Sequence, residues 1–154
     1  MTTLKSLIKT IILHCQRQPI IWFAAWTLWF ITLWLLSSNN PAPQNLPTIP
    51  HLDKIAHFGF FFGGAGLFCA WLRHKFHKLL AIHCIWITTL VGSIVGMLDE
   101  YHQSFTPGRT GNDPGDWLAD FSGTLCGALV MLTVLKLAHR RLQKHQIAEP
   151  AQQI

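Results

Sequence analysis

GSIVGMLDEYHQSFTPGRTGNDPGDWLADFSGTLCG, residues 92–127, starts and finishes in apolar sequence punctuated by glycines and carries most of the chain's acid in between. Asp99, Glu100, Asp113, Asp116 and Asp120 all lie inside it, together with His102, Gln103 and Arg109. Its two flanks suit lipid-embedded helices. An ionisable side chain at membrane depth costs on the order of a few kcal/mol unless it is paired or hydrated. The stretch therefore reads as a polar loop between two membrane-crossing helices, with ionisable groups gathered at their ends.

The rest of the chain supports that reading. Half of the 154 residues are hydrophobic and 12% are charged, with seven Trp and ten Phe against one Tyr. Apolar runs approaching the ~20 residues that cross a bilayer recur along it, at about 20–36, 54–72, 79–98 and 115–138. This predicts an all-α integral membrane protein, a bundle of four transmembrane helices over residues 19–138. Before it, residues 1–18 place Leu4, Leu7, Ile8, Ile11 and Ile12 at helical spacing with Lys5 and Lys9 off that face. Such a segment is an amphipathic helix lying in the membrane interface, or one packed on the bundle. A signal peptide competes for the first apolar run. That run is long for an h-region and SSNNPAPQ offers no small-x-small cleavage site, so a retained anchor is favoured. Residues 37–50, with four prolines, form an extended linker, and 139–154 a basic, then polar tail. Cys15, Cys69, Cys84 and Cys126 form no CxxC pair and read as small buried apolar residues.

Charge sets the orientation. On a four-span model, Lys5, Lys9, Arg17, Arg73, Lys75, Lys78, Lys136, Arg140, Arg141 and Lys144 share one side, leaving only Lys54 and Arg109 on the other. Six of the seven acids lie on that second side. Basic residues in short loops are retained in the cytoplasm, so both termini are expected inside the cytoplasmic membrane and the acidic loop outside. The net charge of +5 is thus spent on topology. With no stacking aromatics interleaved among the basic residues, nucleic acid is excluded as a partner; the bilayer is the expected one.

Helical spacing sharpens the site. Asp53, His57, Phe60 and Gly64 recur at one interval pattern in the second span; Gly92, Gly96, Glu100 and Gln103 do so in the third. Asp116, Asp120, Gly123 and Gly127 follow in the fourth. Each stripe has polar groups at its outer end and small residues deeper, where glycine lets helices approach closely. Where the three faces meet, an outward polar cup results, with Lys54, His57 and Arg109 as the available counter-charges. Asp113 before Pro114 fits an N-cap, with Asp116 favouring the helix dipole, and Pro107-Gly108 suits a type II turn that aims Arg109. Asp99, Tyr101 and His102 read as solvated or interfacial, His102 as a metal ligand only in the sharper alternative.

Two of these segments, DKIAHFGFFFGG and GMLDEYHQSFTPGRTGNDPGDWLADFSGTLCG, resemble the VanZ-like family of small bacterial membrane proteins over residues 53–127. The family pattern falls on Asp53, Lys54, His57, Glu100, Gln103, Arg109, Asp116 and Gly123. Asp120 departs from it, standing where the family usually has Asn. The resemblance implies a cell-envelope location and an association with resistance to teicoplanin, a lipid-tailed glycopeptide.

Three functions compete. In the first, a non-enzymatic envelope factor uses Asp53, Lys54, His57, Glu100, Gln103, Arg109, Asp116 and Asp120 to bind the head group of a lipid-linked cell-wall intermediate or lipoglycopeptide. In the second, an intramembrane hydrolase or transferase uses Glu100 or Asp120 as base or cation ligand and His57 as acid or ligand. The third is a structural subunit locked by its polar cluster. No HExxH or GxSxG is present, so no catalytic residue is assigned, and neither a cofactor nor a resident metal is expected.

Overall fold

The computed structural model describes residues 18–39, 51–109 and 111–148, and within them the chain is four helices: α1 (Pro19–Ser37), α2 (Leu52–Lys75), α3 (Ala81–Gln103) and α4 (Pro114–Ala148). The amphipathic segment before residue 18, and the proline-rich linker from residue 40, lie outside the described residues. All four helices are long and apolar enough to cross a membrane, α4 over Pro114–Arg141. Their outward faces carry large apolar side chains such as Ile20, Leu28, Leu35, Trp86, Leu90 and Leu137. In water such a surface would be a liability; against acyl chains it costs nothing. The chain is a multi-pass membrane protein.

Helix boundaries follow local chemistry. Pro19 opens α1 and Pro114 opens α4, each where the missing N–H goes unused. The carboxylate of Asp113 accepts the N–H of Gly115 at 2.7 Å, the capping bond its position predicts. α3 continues to Gln103, so Glu100 and Gln103 stay on the helical stripe. α4 runs on to Ala148, ten residues beyond the apolar stretch, because the basic segment after Ala138 has no helix breaker before Pro150.

α2 is the centre of the assembly, touching the other three helices and packing most extensively on α4. Glycine makes that seam possible. A Cβ at Gly123 or Gly127 would run into the backbone carbonyl of Phe58 or Phe62, so only glycine admits α2 this closely. The stripes do not converge on one axis. Gly92 and Gly96 face Thr124 and Asp120 of α4, whereas Gly64 faces the Trp29 ring of α1. Two apolar clusters fill the interior of the bundle. Phe68, Cys69, Leu72, Cys84 and Ala128 form the first, under Trp26, and Leu33, Phe61 and Val95 the second. Trp26 lies 5.0 Å from Phe68 between ring centroids, and Trp29 donates its indole N–H to the Phe60 carbonyl at 3.0 Å. The α1 tryptophans thus face both protein and lipid, which explains why this span reads as uniformly apolar.

Candidate functional site

At one end of the bundle, where α1 and α3 finish and α2 and α4 begin, the ionisable residues divide into three connected groups. The outermost is built on Lys54. Its ammonium lies 3.0 Å from carboxylate oxygens of Asp53, Asp113 and Asp116, tying the start of α2 to the first turn of α4. The same ammonium holds the Asp113 carboxyl below its usual range, aided by the N–H of Gly115. Lys54 therefore has little left to offer a ligand phosphate.

One turn deeper, His57 Nδ1 lies 2.9 Å from Asp120 Oδ1, and His57 Nε2 lies 4.0 Å from Asp116 Oδ2. Asp120 is fully buried, with its Oδ2 packed towards Gly96 and without a hydrogen-bond partner. Glu100, 4% exposed, accepts the backbone N–H of Asp113 on Oε2 at 2.7 Å and leaves Oε1 without a partner. That approach depends on left-handed backbone at Gly111 and Asn112, which folds the loop back on the end of α3. A Cβ at Gly111 would strike the backbone of Ser104.

The third group corrects the sequence reading of Asp99. Expected to be solvated or interfacial, it is 3% exposed, accepting hydrogen bonds from the Ser37 hydroxyl and, at 2.8 Å, from the Gln103 amide. The cause is α1, whose last residue packs over α3 and takes Asp99 out of water. Arg109 belongs to this group as well. Pro107 and Gly108, the latter at φ 82°, form the turn that aims it. Its guanidinium then donates to the carbonyls of Leu36 and Asn39 at 3.1 and 3.2 Å and to Gln103 Oε1 at 3.2 Å. A cation at a helix C-terminus satisfies orphan carbonyls and the dipole together. Among the described residues it makes no ion pair, so the role of counter-charge expected for it falls instead to Lys54. His102, its ring stacked 3.9 Å from Trp34, lies on the lipid side of this group, while Tyr101 is exposed as expected.

The eight residues singled out by sequence thus occupy one end of the bundle, with Asp99, Asp113 and Ser37 added. Asp99 was hidden by its position one residue off the Glu100 stripe, and Ser37 by its place in a polar helix end that resembled linker. A cavity of about 330 Å³ opens beside them, lined by Glu100, Asn112 and Asp113 on one side and Met97, Pro114 and Trp117 on the other.

Four spanning helices with a buried, acid-rich cluster at one end define a polytopic membrane protein with an intramembrane polar site. The VanZ/LLP1 family profile matches residues 4–136. The chain belongs to that family. Searches of curated proteins and of solved structures find no match.

Proposed function

We propose that the outer cluster is a cell-envelope recognition site for the polar head group of a lipid-linked intermediate or lipopeptide, with antibiotics of the teicoplanin type among the candidate ligands. The observation that carries this reading is the 330 Å³ cavity, whose wall is polar at Glu100, Asn112 and Asp113 and apolar at Met97, Pro114 and Trp117. An amphiphile needs that combination, a head-group side and a hydrocarbon side at one level of the membrane. Because Lys54 and Arg109 are already engaged, recognition runs through carboxylates, the Asn112 amide and the indole. Hydroxyl- and amine-bearing head groups suit that set best. Placement in the cytoplasmic membrane with both termini inside, as the basic residues argue, turns the cavity outward.

The test compares lipids and lipopeptide retained by wild type, Glu100→Gln and Trp117→Ala at equal membrane abundance. Loss of a specific amphiphile from both variants supports the site; an identical lipid profile in all three overturns it. Labelling Thr110→Cys in a cysteine-free background checks the orientation, since labelling only from the cytoplasm contradicts an outward cavity.

A second reading, hydrolysis or group transfer on a lipid substrate, is favoured by the His57–Asp120 pair, which orients an imidazole as acid–base pairs require. Turnover of a labelled lipid that disappears in His57→Gln distinguishes it from binding alone.

A further inference from the structure

We propose that His57, Asp99 and Glu100 form a binding site for one divalent cation of the Mn²⁺ or Zn²⁺ class. Each supplies a ligand atom, and these atoms lie within 4.8 Å of one another, close enough to share one ion. They come from two helices fixed by packing, so the arrangement is preformed.

Clustered carboxylates alone would not carry this. The independent observation is Glu100 Oε1, an oxygen on a side chain 4% exposed that has no hydrogen-bond partner. Its twin, Oε2, is held by the Asp113 N–H, which fixes the carboxylate plane and leaves the other oxygen free. A buried carboxylate oxygen left bare is unfavourable, and a cation is the partner best suited to it. Asp99 is also oriented, by the Ser37 hydroxyl and the Gln103 amide, with lone pairs to spare on both oxygens.

His57 is prepared in the manner of a metal ligand. When Nδ1–H is donated to Asp120, loss of the second ring proton leaves a lone pair at Nε2 for a metal. Asp120 then acts as the supporting carboxylate behind the imidazole. Imidazole with two carboxylates favours a first-row ion over Mg²⁺ or Ca²⁺, which prefer all-oxygen surroundings.

The charge balance agrees. Lys54 serves Asp53, Asp113 and Asp116, and Arg109 serves the α1 carbonyls and Gln103. Among the described residues, no Lys or Arg forms an ion pair with Asp99, Glu100 or Asp120. The neighbouring trio Asp53, Asp113 and Asp116 also brings ligand atoms within 4.8 Å of one another, but the Lys54 ammonium stands among them and takes the cation's place. Glu100 also lines the outer cavity, but binding of the ion is measured directly, so its test needs no lipid.

Full-length protein in detergent is titrated with Mn²⁺ and followed by electron paramagnetic resonance, with metal content measured after desalting. One ion per chain is expected, with nitrogen coupling that disappears in His57→Gln. Glu100→Gln and Asp99→Asn, both near-isosteric, should each weaken binding by about tenfold or more, since supporting groups alone cost about that much. His83→Gln, at the opposite end of α3, should stay within about threefold of wild type. Unfolding of one variant, seen by circular dichroism, leaves the decision to the other. No Mn²⁺ or Zn²⁺ bound by wild type at millimolar concentration overturns the proposal, as does unchanged affinity in folded Glu100→Gln or equal loss in His83→Gln.

Discussion

His57 Nδ1 meets Asp120 Oδ1 at 2.9 Å across the α2–α4 seam, one turn below the Lys54 network. Asp120 has no access to solvent, so this bond is its main compensation for burial. Asp120→Ala is expected to lower stability by about 1–2 kcal/mol, in the upper range for polar contacts in membranes. Asp120→Asn keeps the bond to the ring and removes a buried charge, so it should stay within about 1 kcal/mol of wild type. Thermal unfolding in detergent measures both, and equal losses would show that the carboxylate charge matters more than the bond or the volume.

The glycines of the same seam separate close packing from helix propensity. Gly123→Ala and Gly127→Ala would each place a methyl against an α2 carbonyl, and a loss of about 1–3 kcal/mol is expected. Gly59 and Gly63 have nothing within 4 Å of the added atom, so alanine there should be neutral or stabilising by up to about 1 kcal/mol. The two pairs, compared by unfolding, should move in opposite directions.

Arg109 holds the end of α1 through Leu36, Asn39 and Gln103. Lysine keeps the charge but cannot reproduce the planar fork. Arg109→Lys is expected to raise amide exchange at residues 36–39 and cost about 1 kcal/mol, with Arg109→Ala costing more. An unchanged exchange pattern would remove Arg109 from this role.

Acid should loosen the junction of α2 and α4. The folded Asp113 carboxyl titrates below its ordinary value of 3.8, first because of the Lys54 ammonium. Its contribution is therefore fully present above that ordinary value and is lost as pH falls through the lower, folded one. The unfolding temperature should show an acid-side decline below about pH 4 that is smaller in Asp113→Asn than in wild type. Identical declines would place the acid sensitivity elsewhere.

Much of this end of the molecule was legible from periodicity. Asp53 and His57, Glu100 and Gln103, and Asp116 and Asp120 repeat at helical intervals, and intervals of that kind decide which face a side chain occupies. Pro107-Gly108 and Asp113-Pro114 carried their turn and cap signals in their own chemistry. What periodicity cannot express is which helix lies against which. Asp99 is buried because Ser37 happens to end over it, and Arg109 turns to the end of α1, whose carbonyls accept its guanidinium while no acid among the described residues pairs with it. Both facts depend on the docking of α1, a span whose uniform apolarity marks no preferred face.

The seam at Gly123 and Gly127 has a mechanical consequence. α4 is a single helix of 35 residues, about 52 Å long, clamped to α2 nearer its N-terminal end than its C-terminal one. The clamp leaves a short segment of about 14 Å bearing Asp116 and Asp120, which Lys54 and His57 also tie to α2, and a long one of about 30 Å ending in the basic segment. The acids therefore sit on the part of α4 that is held at both ends, and bending of this helix is left to the basic segment.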